Sequence, residues 1–245
     1  MSKTFYGQTD VGLKRSSNQD CFYTEGFEDG KIITLVCDGM GGVEGGNIAS
    51  ATVCKVFSEN VKKKLLSTGK WSYLELLPKS LAKANKTLFE KAQKTPGLEG
   101  MGTTFVCAIY DNGKYYCLSV GDSRIYVFSG KKIKQLSHDH SYVQSLVDSG
   151  KITKEEAKTH PNRNIITSAV GTKPEVDADM FVISEVGIDG VLLCSDGLCA
   201  LVDETELQKV FYNSKTPKDI VEQYIKLAKN AGGDDNITAV VIKKH

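Results

Sequence analysis

No stretch of this 245-residue chain is apolar for long enough to cross a bilayer, so a membrane-spanning protein is not expected. An excess of one charge is lacking too. Lysine and arginine number 31 against 30 aspartate and glutamate, a formal net charge of +1, and the two signs are mixed along the chain. A nucleic-acid or membrane-surface binder would need a clustered basic patch. The run Lys62-Lys63-Lys64 is short and reads as the solvated face of a helix. The start, Met1-Ser2-Lys3-Thr4, leads straight into polar sequence, which predicts no signal peptide. The seven cysteines are odd in number, none stands in Cys-x-x-Cys, and Cys37, Cys107, Cys117 and Cys194 lie in apolar runs. They read as small buried residues of a reduced, cytoplasmic protein. No cysteine or histidine pair has zinc-ligand spacing.

What is present is the composition of a soluble globular protein, 40% hydrophobic and 25% charged, in a length that fits one domain with a sizeable core. One pattern recurs. The apolar run Ile32 to Cys37 stops at Asp38-Gly39-Met40-Gly41-Gly42. Val191 to Cys194 stops at Ser195-Asp196-Gly197, and Cys117 to Val120 at Gly121-Asp122. Gly232-Gly233-Asp234-Asp235-Asn236 precedes the apolar run Ile237 to Ile242. Asp-Gly alone is a common turn dipeptide. Four acidic turns, each joined to an apolar strand, are the raw material of an oxygen-only site for a hard cation such as magnesium or manganese. The glycines predict sharp turns immediately after Asp38 and Asp196.

Along the chain, strands are predicted over Phe5–Val11, Cys21–Thr24 and Ile32–Cys37, with the polar turn Arg15-Ser16-Ser17-Asn18-Gln19-Asp20 between the first two. Helices follow: one around Ala51–Leu66, and one over Trp71–Ala92 with Leu74, Leu77, Leu81, Ala84, Leu88 and Ala92 on one side and a break expected at Pro78. Thr103–Tyr110, Lys114–Val120 and Arg124–Phe128 read as a three-stranded meander, joined in part by Asp111-Asn112-Gly113. Short helices at His140–Ser149 and Lys154–Lys158 lead into an irregular polar segment, His160–Val176. Strands at Met180–Ser184 and Val191–Cys194, helices at Glu204–Phe211 and Pro217–Asn230, and a strand at Ile237–Ile242 complete the chain. Strands and helices come in runs, which is the α+β signature. Two antiparallel sheets packed face to face, with helix pairs outside, would accommodate it.

Arg15-Ser16-Ser17-Asn18-Gln19-Asp20, Asp38-Gly39-Met40-Gly41-Gly42, Gly102-Thr103-Thr104, Gly121-Asp122-Ser123-Arg124, Ser195-Asp196-Gly197 and Asp235-Asn236-Ile237-Thr238 resemble, in that order, the motifs of the metal-dependent 2C-type serine/threonine phosphatases, in their bacterial form. The resemblance runs from about Phe5 to Val241. It implies a four-layer α-β-β-α sandwich forming a single domain over residues 1–245, with a flap at about 145–172. It implies two tightly held manganese or magnesium ions and a weaker third. By position, Asp38 resembles the carboxylate bridging the first two, with Gly39 offering its carbonyl. Asp196 and Asp235 resemble further ligands, Asp122 a ligand of the weaker ion, Asp20 a carboxylate holding coordinated water, and Arg15 the grip on the substrate phosphate. The implied reaction is hydrolysis of phosphoserine and phosphothreonine in proteins by a metal-activated water. The implied partners are phosphoproteins and a cognate serine/threonine kinase, with a monomeric phosphatase in the cytoplasm. The competing reading is a catalytically silent relative that binds phosphoproteins.

The residue chemistry agrees. Two cations about 3.5–4 Å apart neutralise phosphoryl oxygens and ease deprotonation of water, and an arginine fork donates bidentate bonds to phosphate. Other routes lack their residues. A cysteine phosphatase needs Cys-x5-Arg, and Cys117 with Arg124 is one residue too far. Asp38 is followed by Gly39-Met40 rather than standing in Asp-x-Asp, and four histidines are too few for a histidine-built binuclear site. No Gly-x4-Gly-Lys is present, and Glu44 breaks the dinucleotide pattern begun by Gly39-Met40-Gly41. His138 and His140 read as a surface pair. The sequence departs from the bacterial pattern at Val43, Asn47 and Ser168, where histidine, glutamate and arginine are usual. Without that histidine, a proton for the leaving oxygen would come from bound water, from a residue such as His160, or not efficiently at all.

Overall fold

The computed structural model describes residues 3–68 and 71–244. The start Met1-Ser2, the terminal His245 and the side chain of Val43 lie outside the described residues. In chain order the elements begin with strands β1 (Lys3–Asp10), β2 (Asp20–Gly26) and β3 (Ile32–Met40). Helices α1 (Gly42–Leu65) and α2 (Tyr73–Lys94) follow, then β4 (Gly102–Thr103), β5 (Phe105–Asp111), β6 (Lys114–Val120), β7 (Arg124–Ser129) and β8 (Lys132–Gln135). Next come α3 (Tyr142–Asp148), α4 (Lys154–Thr159), β9 (Asp179–Ser184) and β10 (Gly190–Cys194). The last are α5 (Asp196–Cys199), α6 (Glu204–Asn213), α7 (Pro217–Asn230) and β11 (Ile237–Lys244). Among the described residues no helix is long and apolar enough to cross a membrane.

Side-chain alternation builds the layers. Successive strand residues face opposite ways, and here both faces are covered. Ile33, Leu35 and Cys37 of β3 pack with Phe57 of α1 and Leu77, Leu81 and Leu88 of α2. Ile32 and Val36 pack instead with Val191, Leu193, Val240 and Ile242 of the opposing sheet. On the far side Leu192, Ala239 and Val241 meet Leu207, Phe211, Ile220 and Tyr224. One sheet runs β1-β11-β10-β7-β8; the other runs β2-β3-β5-β6-β9, with β4 on β3. All their pairings are antiparallel. The expected four-layer α-β-β-α sandwich is therefore present.

Several details differ from the sequence reading. The meander breaks: β5 and β6 pair with each other, but β7 crosses to the opposing sheet and pairs β10. The turn Gly121–Ser123 thus bridges the two sheets. Pro78, the sixth residue of α2, sits inside the helix without ending it, leaving the Leu74 carbonyl without the i→i−4 donor that another residue would supply. Leu74 is 57% exposed, whereas Tyr73, Leu76, Ser80 and Asn85 join the buried face. The predicted hairpin at Asn112-Gly113 forms, both residues having positive φ. The segment 145–172, expected as a flap, begins within α3, contains α4, and is irregular between the two helices and beyond Thr159.

Candidate metal centre

The acidic turns converge at one end of the inter-sheet core. Asp20 opens β2 and is the register partner of Asp38 in β3. Asp38 continues the set of β3 residues that faces the opposing sheet. The Asp38 N–H donates to Thr104 Oγ1 (3.0 Å), and its carbonyl accepts from Thr104 N (2.8 Å) and Thr103 Oγ1 (2.8 Å). Asp196 is the first residue of α5. Asp235 lies on the loop before β11, and Asp122 on the turn between the sheets. Asp38, Asp122, Asp196 and Asp235 line a single cleft of about 1060 Å³ together with Arg15 and Gly39.

The glycines have a different purpose from the one expected. Gly39 lies within β3, which continues to Met40, and Gly197 lies within α5; neither has positive φ. Both are sites of close backbone approach. A Cβ on Gly39 would stand 2.0 Å from the Gly46 carbonyl oxygen, and one on Gly197 2.0 Å from that of Asn236. The chain turns only at Gly41 and Gly42, with φ of 134° and 74°.

Asp20 joins the layers. It is buried, and its Oδ2 accepts from Ser195 Oγ (2.7 Å) and Thr238 Oγ1 (2.6 Å) of the other sheet. Its Oδ1 has no hydrogen-bond partner, and neither does Asp196 Oδ1. Burial pushes the Asp20 carboxyl up to about 7, against the pull of the Thr238 and Ser195 hydroxyls and aided by Asp196 and Asp235. Asp122 is also pushed up to about 7, by burial first and then by Asp196 and Asp139. Burial likewise raises Asp38 well above the usual carboxylate range, with Asp20, Asp196, Asp122 and Asp235 adding to it. Asp196 is raised by burial and by Asp235, against a hydrogen bond shared with Asp38. A folded chain that forces carboxylates together and leaves two buried oxygens unpaired is short of positive charge there.

The donor set fits hard divalent cations. Among the described residues the cleft offers carboxylates, hydroxyls, amides and carbonyls and no histidine or cysteine. No group of three or more histidine, cysteine, aspartate or glutamate side chains among the described residues is drawn into a ligand cage for one ion.

Arg15 is 56% exposed and its Nη2 donates to Asp235 Oδ2 at 2.8 Å. Asn236, buried, holds the Arg15 loop to the Asp235 loop: Oδ1 accepts from Gln19 N (2.7 Å), and Nδ2 donates to the Val11 and Ser17 carbonyls (3.0 Å each). Asn18 accepts from Asp20 N (3.1 Å) and donates to Thr9 Oγ1 (2.8 Å), a turn role as expected. Lys158, Thr159, Arg163 and Asn164 bring the segment 145–172 to the cleft wall. The sequence assigned no role in the cleft to the cations Lys158 and Arg163. His160 does not line the cleft; its Nδ1 accepts from Asn162 N (3.1 Å). His138 is exposed beside Asp148, but His140 is not the surface residue expected: it lies against Gly121 and Asp179.

Comparison with known proteins gives the family. A family profile described as protein phosphatase 2C matches residues 13–240. The serine/threonine phosphatase stp of Listeria monocytogenes is 35% identical over 237 residues, covering 97% of this chain and 94% of that protein. The crystal structure of the serine/threonine phosphatase Stp1 from Staphylococcus aureus superposes with a TM-score of 0.89 at 33% identity, covering 99% of this chain and 94% of that one. The catalytic domain of the serine/threonine protein phosphatase PstP, solved in complex with two manganese ions, gives a TM-score of 0.87 at 28% identity, covering 98% of this chain and 97% of that one. Matched by the family profile over residues 13–240 and sharing its fold over nearly its whole length, this chain belongs to the protein phosphatase 2C family of serine/threonine phosphatases.

Proposed function

We propose that this chain hydrolyses phosphoserine and phosphothreonine in proteins at a manganese- or magnesium-loaded cleft, opposing a serine/threonine kinase in the cytoplasm as a monomer. The observation that carries this is the convergence of Asp38, Asp122, Asp196 and Asp235 on one cleft, with two buried carboxylate oxygens left unpaired. Asp38 would lie between two ions, with the Gly39 carbonyl, Asp196 and Asp235 as further ligands. Asp122 and Asp196 would share a weaker third. Bound there, divalent cations supply neutralisation of the phosphoryl oxygens and a water that loses its proton near neutral pH.

The chain's own residues do the rest. Asp20, fixed by Ser195 and Thr238 through Oδ2, would have its unpaired Oδ1 free to hold a coordinated water. Thr104 holds both the N–H and the carbonyl of Asp38, which fixes the backbone from which that carboxylate would reach the ions. Arg15, tethered by Nη2 to Asp235, presents the rest of its guanidinium to a phosphate as a planar fork. Residues 145–172 act as a flap of the single domain and screen phosphoproteins through the wall they give the cleft.

Phosphate release from a phosphothreonine peptide, with manganese and with chelator, tests the reading. We expect multiple turnovers with manganese and none with chelator. Peptide binding without turnover at any manganese concentration would establish the silent-relative reading instead.

A further inference from the structure

The turn carrying Asp122 is held from a segment outside the cleft. Gly121 N–H donates to His140 Nδ1 at 3.3 Å, and His140 N–H donates back to the Gly121 carbonyl at 2.9 Å. The other ring nitrogen, Nε2, is 3.1 Å from Asp179 Oδ2. A backbone N–H can only donate, so Nδ1 carries the lone pair and Nε2 the proton, which is donated to Asp179. The His140 carbonyl accepts from Thr167 N in the flap at 2.8 Å.

Neighbouring residues grip the rest of the turn. Asp139 accepts from Arg124 Nη2 at 2.7 Å and from Nε, and Ser137 Oγ accepts from Ile125 N at 3.0 Å. On the opposite side Ser123 Oγ and Thr104 Oγ1 are 2.7 Å apart, and Thr104 is the residue that holds Asp38. The turn has no slack. Gly121 has φ of 94°, and a Cβ there would lie 2.7 Å from Thr104 Cγ2.

We propose that His140 is a positioning residue of the phosphatase reaction: its ring, oriented by Asp179, pins the Gly121–Asp122 turn so that Asp122 stays in the cleft, and its carbonyl ties the flap to that same turn. The inference rests on the phosphatase reading of the cleft. A bulky group that merely filled the space would leave the buried Gly121 N–H without an acceptor. The ring supplies shape and acceptor together, with 18% of the side chain exposed.

Two amides separate these roles. Asparagine can place its carbonyl oxygen where Nδ1 stands, whereas glutamine places it nearer Nε2. We would measure kcat and KM on a phosphothreonine peptide, manganese binding by calorimetry, and melting temperature, for wild type, His140→Asn, His140→Gln and the exposed His138→Ala. Partners behind metal ligands typically control about 10–100-fold in affinity or activity. We expect His140→Gln to lose about that much kcat with KM nearly unchanged, and to weaken the lower-affinity manganese binding about tenfold. His140→Asn should keep kcat and manganese affinity within a few-fold of wild type, and His138→Ala should match it. Equal kcat and equal manganese isotherms for the Asn and Gln variants, whether both native or both impaired, would overturn the proposal. If wild type binds manganese yet releases no phosphate, the phosphatase reading fails, while the manganese isotherms of the two variants still decide whether His140 sets the site.

Discussion

Asp20→Asn should make the protein more stable in chelator while disabling it. Asp20 is 9% exposed, its Oδ2 is satisfied by two hydroxyls, and its Oδ1 has no partner. Asparagine can keep the satisfied position with its carbonyl oxygen and put its amide where the unpaired oxygen was. Raising a carboxyl from 3.8 to about 7 corresponds to about 4 kcal/mol at 1.36 kcal/mol per pH unit. Repulsion shared with Asp38, Asp196 and Asp235 is relieved in common, and a buried amide N–H without an acceptor costs about 1–3 kcal/mol. The net gain is then on the order of 1–3 kcal/mol, or roughly 3–10 °C in Tm for a chain of this size. The sign follows from linkage. The folded carboxyl binds its proton more tightly than the unfolded one, so its stabilising contribution is complete below about pH 4 and is lost as pH rises towards 7. The variant lacks that loss. Melting curves in chelator from pH 4.5 to 8 should show a gap that opens as pH rises, and manganese should raise the wild-type Tm more than that of the variant. A variant that melts at or below wild type at pH 8, or a gap independent of pH, would refute the reasoning.

Asp122→Ala should lower turnover and remove the weakest manganese binding while leaving the tighter ions in place, because an ion with few protein ligands depends on each carboxylate; calorimetric titration checks it. Shortening the loop beyond Thr159, which brings Arg163 and Asn164 to the cleft, should change rates on phosphoproteins more than on a small aryl phosphate, and equal effects would deny the flap a screening role. Val43→His should raise the rate on phosphothreonine peptides and leave the aryl phosphate rate nearly unchanged. An alkoxide needs a proton to depart and a nitrophenolate does not, and such help is worth roughly 10²–10⁴-fold where it operates. Rates of both substrates at saturating manganese decide it.

The layers were legible because their strands are covered on both faces. β3, β6, β10 and β11 therefore carry apolar runs, and the acid beside each, Asp38, Asp122 and Asp196 after the first three and Asp235 before the last, stands out. The Asp-Gly pairs were legible as positions and misread as turns. A glycine required by a carbonyl 2.0 Å from its absent Cβ looks in sequence like one required by positive φ. The move of β7 to the second sheet left no local trace, since Gly121-Asp122-Ser123 has the composition of a hairpin turn. The edge strand β8, Lys132–Gln135, is short and half lysine. Such an edge resists further pairing, and the same polarity hides it from an alternation argument. Asp139 and His140 resembled a polar loop because the partners that bury them, Arg124, Gly121 and Asp179, come from distant parts of the chain. The convergence of Asp38, Asp122, Asp196 and Asp235 is likewise a tertiary fact, which spacing suggested and packing supplied.

The most direct test compares wild type with Asp38→Asn, measuring manganese binding by calorimetry and phosphate release from a phosphothreonine peptide on the same samples. Asp38 is raised by burial and by its acidic neighbours, so its neutral substitute should fold at least as well. We expect the variant to keep a native melting transition, to bind manganese more weakly, and to release no measurable phosphate at manganese concentrations that saturate wild type. Near-wild-type turnover by a folded Asp38→Asn protein would contradict a carboxylate-held metal centre in this cleft.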